Sequence, residues 1–113
     1  MIDTTAAEAG PFHPPDLESV ELLTVLQALA DPVRLEIVRQ LAACPDLGEL
    51  MCGQIEIPVT KSTASHHLRT LLRAGITTER AAGTCKYVGL RQAELARRFP
   101  GLLESVLRAA DPV

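Results

Sequence analysis

The stretch Val59-Thr60-Lys61-Ser62-Thr63-Ala64-Ser65-His66-His67-Leu68-Arg69 decides how the rest of the chain is read. It predicts a helix over residues 61–74, with Ala64, Leu68, Leu71 and Leu72 at the i, i+4, i+7, i+8 spacing of a packed face. The opposite face carries Lys61, Ser62, Thr63, Ser65, His66 and Arg69, which are cations, short hydroxyls and an imidazole. Short hydroxyl side chains let a helix lie against a crowded surface and still offer hydrogen bonds. Entry into a DNA major groove makes the same demands.

The neighbours of this helix define its frame. Thr60 is placed to cap its start and Gly75 to end it. Upstream, Asp46 with Glu49 three residues on has the form of a capping box. It predicts a short third helix from Leu47 to about Glu56, with Leu47, Leu50, Met51 and Ile55 inward and Ile57-Pro58-Val59 ending it. Two short helices across a tight connection make a helix-turn-helix. Downstream the period changes to two: Ile76–Arg80 and Cys85–Leu90 alternate, with Ala82-Gly83 supplying a hairpin turn. A basic-tipped hairpin over residues 76–90, directly after such a helix, is a two-stranded wing.

Residues 1–15 end in Pro11-Phe12-His13-Pro14-Pro15 and read as a flexible arm. The domain proper is expected over 16–113. Asp16 is expected to cap a first helix reaching Ala30, in which Val20, Leu22, Leu23, Val25, Leu26 and Leu29 spread over more than one stripe. A face that wide suits burial against a second subunit. Asp31-Pro32 restarts the chain as N-cap and first helical residue of a second helix, with Leu35, Ile37, Val38 and Leu41 inward. Cys44-Pro45 stops it. Gln92 to Phe99 and Pro100 to Ala110 read as a terminal helix broken at Pro100, with Leu102, Leu103, Val106 and Leu107 as an apolar stripe. The fold class is mainly α with a small β-hairpin: a winged helix-turn-helix of five to six helices. Leu22, Leu26, Leu102, Leu103, Val106 and Leu107 are its expected dimer interface.

Composition narrows the classes. The chain has 113 residues, 47% of them apolar but only 3% aromatic, so its core is aliphatic and a base-stacking platform is excluded. No apolar run is long enough to span a bilayer and Met1-Ile2-Asp3-Thr4 lacks a signal pattern, which places the expectation in the cytoplasm. The net charge of −3 is unevenly spread. Residues 1–60 set Arg34 and Arg39 against ten acids, whereas 61–91 set Lys61, Arg69, Arg73, Arg80, Lys86 and Arg91 against Glu79 alone. A compact basic segment on an acidic body orients a protein on polyphosphate.

The run Ala28-Leu29-Ala30-Asp31-Pro32-Val33-Arg34-Leu35-Glu36-Ile37 resembles the LADPxRLxIL entry of the ArsR/SmtB family of bacterial winged-helix repressors. Lys61-Ser62-Thr63-Ala64-Ser65-His66-His67-Leu68, with Leu71 and Ala74-Gly75-Ile76, is similar to that family's STxSxHLxxLxxAGL helix, and Gly83-Thr84 stands at its wing turn. The likeness extends from Leu17 to Leu107, and two motifs at the right separation make it specific. It implies a homodimeric repressor held by its first and last helices. The inverted-repeat operator of double-stranded DNA would be read by two recognition helices about 34 Å apart.

Within that reading Ser62, Thr63, Ser65 and His66 face base edges, and Lys61 and Arg69 face phosphates, as do Arg80, Thr84 and Lys86 on the wing. His66 is expected to face outward, toward solvent or DNA, whereas His67 borders the apolar stripe and is expected to be structural. The family's arsenic-type site resembles ELCVCDL, but this chain has Glu49-Leu50-Met51-Cys52-Gly53-Gln54-Ile55, with one thiol and no Cys-x-Cys pair. One thiolate does not supply the soft ligands such a site needs, and residues 91–113 hold no histidine for a last-helix zinc site. No metal and no cofactor is therefore expected. Cys44, Cys52 and Cys85 are the residues with redox or soft-metal chemistry, and the sequence leaves their proximity open. A thiol- or metal-responsive variant of the repressor and a protein–protein interaction module are the alternatives. An enzyme is not expected, because adjacent Ser65 and His66 on one helix do not face each other and no acid is placed to orient the imidazole.

Overall fold

The computed structural model describes residues 15–44 and 49–110. In chain order it has α1 (Leu22–Leu29), α2 (Pro32–Ala42), β1 (Glu49–Met51), α3 (Lys61–Arg73), β2 (Thr77–Ala82), β3 (Cys85–Leu90), α4 (Gln92–Arg98) and α5 (Leu102–Ala109). Single 3-10 turns occur at Leu17–Ser19 and Cys52–Gln54. The winged helix-turn-helix expected from the sequence is present. Its five helices pack around an aliphatic core in which Ile37, Val38, Leu41, Leu71, Leu72, Ile76 and Val88 are almost wholly enclosed.

Two expected elements take another form. The first helix does not run from Asp16 to Ala30: Leu17–Ser19 is a 3-10 turn, Val20 and Glu21 are extended, and the α-helix starts only at Leu22. Tertiary contacts override helical continuity here. Arg98 on α4 donates to the Leu17 and Val20 carbonyls at 3.1 and 3.0 Å, and Arg91 donates to the Pro15 carbonyl at 2.7 Å. Val20 itself is buried. The flexible arm expected over 1–15 otherwise lies outside the described residues.

The third helix expected over Leu47–Glu56 is absent from its described part. Glu49–Met51 is instead a strand paired antiparallel with β3, in the register Glu49↔Gly89, Leu50↔Val88 and Met51↔Tyr87. The wing is consequently a three-stranded sheet of order β1-β3-β2 rather than a two-stranded hairpin. The open edge of β3 offers the backbone of 49–51 a ladder that a short helix interrupted by Gly53 does not match. Gln40 holds the following segment extended: its amide donates to the Glu56 carbonyl at 2.7 Å and accepts from the Glu56 N–H at 2.9 Å. Asp46 and Leu47, the expected cap and first inner residue, lie outside the described residues.

The recognition-type helix forms where expected. Thr60 caps it by accepting from the Thr63 N–H at 3.2 Å. At the other end Ile76 N–H reaches the Leu71 carbonyl and Gly75 N–H the Leu72 carbonyl, both at 3.1 Å, closing a Schellman motif around Gly75 at φ 82°. A Cβ at Gly75 would stand 2.7 Å from Val20 Cγ2, so this glycine serves both backbone sign and close packing. Gly83 has φ 64° in the turn joining β2 and β3, and a Cβ added there would meet nothing within 4 Å. Gly83→Ala should therefore lose about 1 kcal/mol in urea unfolding, the cost of a left-handed alanine. Gly75→Ala adds a steric conflict and should lose about 2 kcal/mol or more. Equal losses at the two positions would contradict the packing role of Gly75.

Candidate nucleic-acid interface

Every residue assigned from sequence to the outer face of α3 is exposed: Lys61, Ser62, Thr63, Ser65, His66 and Arg69. Leu68, Leu71 and Leu72 are buried beneath them and Ala64 is half-buried. The helix therefore presents a polar, partly cationic surface on a rigid apolar base. The Thr60 hydroxyl donates to Thr63 Oγ1 at 3.1 Å, so Thr63 shares its side chain with the cap. Ser62 and Ser65 project further along the same exposed face.

What orients the helix is a polar junction that sequence reading identified only in part. Asp31 caps α2 by accepting from the Val33 and Arg34 N–H groups at 2.9 and 3.0 Å. Arg34 turns back onto α1, donating to the Ala28 carbonyl at 2.7 Å and the Gln27 carbonyl at 3.3 Å. Its Nη1 also lies 3.2 Å from His67 Nδ1 on α3. His67 Nδ1 lies 3.9 Å from Asp31 Oδ2. One arginine thus joins the end of α1, the start of α2 and the recognition-type helix. The structural role expected of His67 has this partner, and His66 is exposed as expected. The available signal was Asp31 and Arg34 at i, i+3 with an interior imidazole; the long-range pairing had none.

The wing cations are already engaged. Arg80 donates to Glu49 at 2.9 Å and 3.4 Å and lies 4.4 Å above the Tyr87 ring. Glu49, expected as a helix cap, serves instead as this ion-pair partner on β1. Gly89 makes the arrangement fit, since a Cβ there would meet Thr78 Oγ1 at 2.8 Å and Glu49 Cγ at 3.1 Å. Lys86 pairs with Glu79 at 3.5 Å. Arg91, counted from sequence within the basic segment, is buried and chelated by Glu94 at 3.0 and 3.1 Å. Hydrogen bonding from Arg91 holds the Glu94 carboxyl below its usual value, against a smaller opposing effect of burial. The outward positive field is consequently weaker than the sequence count implies, while Thr84 remains exposed at the turn.

The remaining expected sites divide. Leu22, Leu23 and Leu26 are 44%, 68% and 37% exposed, leaving an uncovered apolar face on α1. On α5, Leu102, Val106 and Leu107 are half-buried, but Leu103 packs into the chain's own core, against its expected place at an interface. It lines, with Val25, Leu29 and Ile76, a void of only about 10 Å3. All three cysteines are free thiols. Cys44 donates to the Glu49 carbonyl at 3.3 Å, Cys85 is exposed, and burial pushes the Cys52 thiol up despite the nearby Lys86 charge. Among the described residues no three His, Cys, Asp or Glu side chains group as metal ligands. No described helix is long and apolar enough to cross a membrane.

A polar-faced helix beside a charged three-stranded wing defines the chain as a winged helix-turn-helix protein. A family profile described as a helix-turn-helix domain matches residues 29–80. The uncharacterized HTH-type transcriptional regulator YceK of Bacillus subtilis (strain 168) is 38% identical over 84 residues, covering 73% of this chain and 82% of that protein. The arsenical resistance operon repressor of the same organism is 40% identical over 70 residues, covering 61% of this chain and 65% of that one. The crystal structure of a possible transcriptional regulator for arsenical resistance matches with a TM-score of 0.57 at 28% identity, over 80% of this chain and 99% of that one. The chain belongs to the ArsR/SmtB family of winged helix-turn-helix regulators.

The junction makes a pH-dependent prediction. Desolvation pushes the Asp31 carboxyl up, but the Arg34 N–H, the His67 and Arg34 charges and the Val33 N–H outweigh it and hold it below its usual value. A carboxylate favoured by folding contributes stability above the ordinary carboxylate range and loses it as pH falls through its lowered value. Asp31→Ala should cost about 1 kcal/mol in urea unfolding at neutral pH. The deficit should shrink as pH falls below the ordinary carboxylate range and the wild-type carboxylate becomes protonated. A deficit independent of pH would show that the charge of Asp31 is not what matters.

Proposed function

We propose that this regulator is a homodimeric repressor that binds an inverted-repeat operator. Residues Lys61, Ser62, Thr63, Ser65, His66 and Arg69 of α3 enter the major groove, and the wing turn at Gly83-Thr84 reaches the flanking backbone. The observation that carries this reading is the undivided polar exposure of the α3 outer face above a buried aliphatic base. Ser and Thr hydroxyls both donate and accept, so they discriminate bases in context, while Lys61 and Arg69 set the helix on phosphates. The uncovered leucines of α1 and the half-buried Val106 and Leu107 of α5 support pairing with a second copy. The relation to the arsenical resistance operon repressor supports repression as the output.

Two kinds of variant test the reading on DNA from upstream of the protein's own coding sequence. Ser65→Ala should erode the preference for that site over a scrambled duplex by about 1 kcal/mol or more. An undiminished preference would remove Ser65 from the base readers. Glu49→Gln should release Arg80 for phosphate, tightening binding about fivefold and steepening its dependence on salt. Weaker binding would mean that the Glu49–Arg80 pair is needed to shape the wing. For the dimer, sedimentation should show twice the 12.2 kDa chain mass, and Leu22→Asp with Leu26→Asp should return it to the monomer. A wild-type monomer at micromolar concentration would overturn the assembly.

A further inference from the structure

The segment that replaces the expected third helix opens a cleft. Residues 55–57 run on without regular structure, the chain bends at Pro58 with the Val59 N–H donating to the Ile57 carbonyl at 2.9 Å, and burial alternates, with Ile55, Ile57 and Val59 half-buried and Glu56 and Pro58 exposed. The three inward side chains face the underside of α3 at Ala64 and Leu68 across a cleft of about 510 Å3. Cys52 and Gly53 close one end, and Glu79 and Lys86 of the wing border it. Surface grooves of about 540 and 630 Å3 lie elsewhere on the molecule, so the lining of this cleft rather than its volume sets it apart.

The lining has a definite chemistry. Its interior is aliphatic, and its rim carries Lys61 and Arg69 on one side and the Lys86–Glu79 pair, 3.5 Å apart, on the other. An apolar body with one negative charge complements both parts. Two of those rim cations, with Ser65 between them on α3, also belong to the face assigned to DNA. A ligand seated here draws Lys61 and Arg69 toward itself and wedges between α3 and the wing, so ligand and DNA compete for one set of groups.

We propose that this cleft binds a small apolar organic anion and that its occupancy releases the regulator from DNA. The second half rests on the DNA-binding reading above; the first does not. Cys52 contributes to the wall of the cleft.

The test uses the full chain with 1-anilinonaphthalene-8-sulfonate, an apolar anion, and N-phenyl-1-naphthylamine, its neutral counterpart. Fluorescence titration should show saturable binding about fivefold tighter for the sulfonate, the weight of one partly exposed charge interaction. Ala64→Phe, which fills the cleft, should weaken it about tenfold or more. Lys86→Gln, a surface change that leaves the core intact, should weaken the sulfonate and not the amine. Amide resonances should move at Gly53, Ile57 and Ala64 rather than at Leu22 to Leu26. Decanoate should displace the probe at about fivefold lower concentration than decanol. Equal affinity for the neutral probe, resonance shifts confined to the α1 leucines, or no binding would overturn the site. Probe binding as described without any DNA binding would sink the DNA reading and leave the site standing. Intact DNA binding without probe binding would do the reverse. Simultaneous binding of probe and duplex would overturn the regulatory half.

Discussion

The Arg34 guanidinium is the constraint on which the rest of this structure depends. It satisfies carbonyls at the end of α1, follows directly from the Asp31 cap of α2, and touches His67 on α3. Helix ends leave backbone groups without partners, and a cation at a C-terminus with a carboxylate at an N-terminus satisfies both needs. Here the two requirements meet within four residues. Because His67 follows His66 in sequence, anchoring one imidazole inward fixes the other outward. The direction of the DNA-facing surface is therefore set from behind, by a part-buried junction, rather than by the surface residues themselves.

A second constraint acts from the other side. The β1 strand joins β3, and Glu49 on it binds Arg80 on β2 through the space left by Gly89. The wing is stiffened by the pairing that also occupies its cation. Phosphates must compete with carboxylates for Arg80 and Lys86, so the wing contributes position before it contributes charge. In a chain that is acidic overall, the wing cations Arg80 and Lys86 held by Glu49 and Glu79 present a weaker field to unrelated nucleic acid.

The fold was largely legible because its signals are local. Thr60 and Gly75 bracket α3, Asp31-Pro32 starts α2, Gly83 turns the hairpin and Pro100 separates the last two helices. Each depends on backbone chemistry within a few residues. The errors fell where distant partners decide. Asp46 and Glu49 carry a capping pattern, yet the edge of a strand about forty residues away and the Gln40 amide make the described part of that segment extended. Asp16 to Ala30 reads as one helix, yet Arg98 breaks it by taking two carbonyls. For the interface, the helical period placed all six outward residues of α3 correctly, since exposure follows from the packed face. It gave no warning that Arg91 turns inward or that Leu103 belongs to the core, because charge counts and apolar stripes do not say which surface is left over.

The proposal built on these constraints is that a pair of α3 helices, each backed by its own Arg34–His67 contact, reads two adjacent major grooves. Chemical footprinting of guanine N7 and of the sugar backbone, on DNA from upstream of the coding sequence, measures this directly. Two protected major-groove patches should lie on one face of the duplex, centred about ten base pairs apart, with backbone protection flanking each. A single patch, or uniform protection without a repeated pattern, would contradict the paired reading.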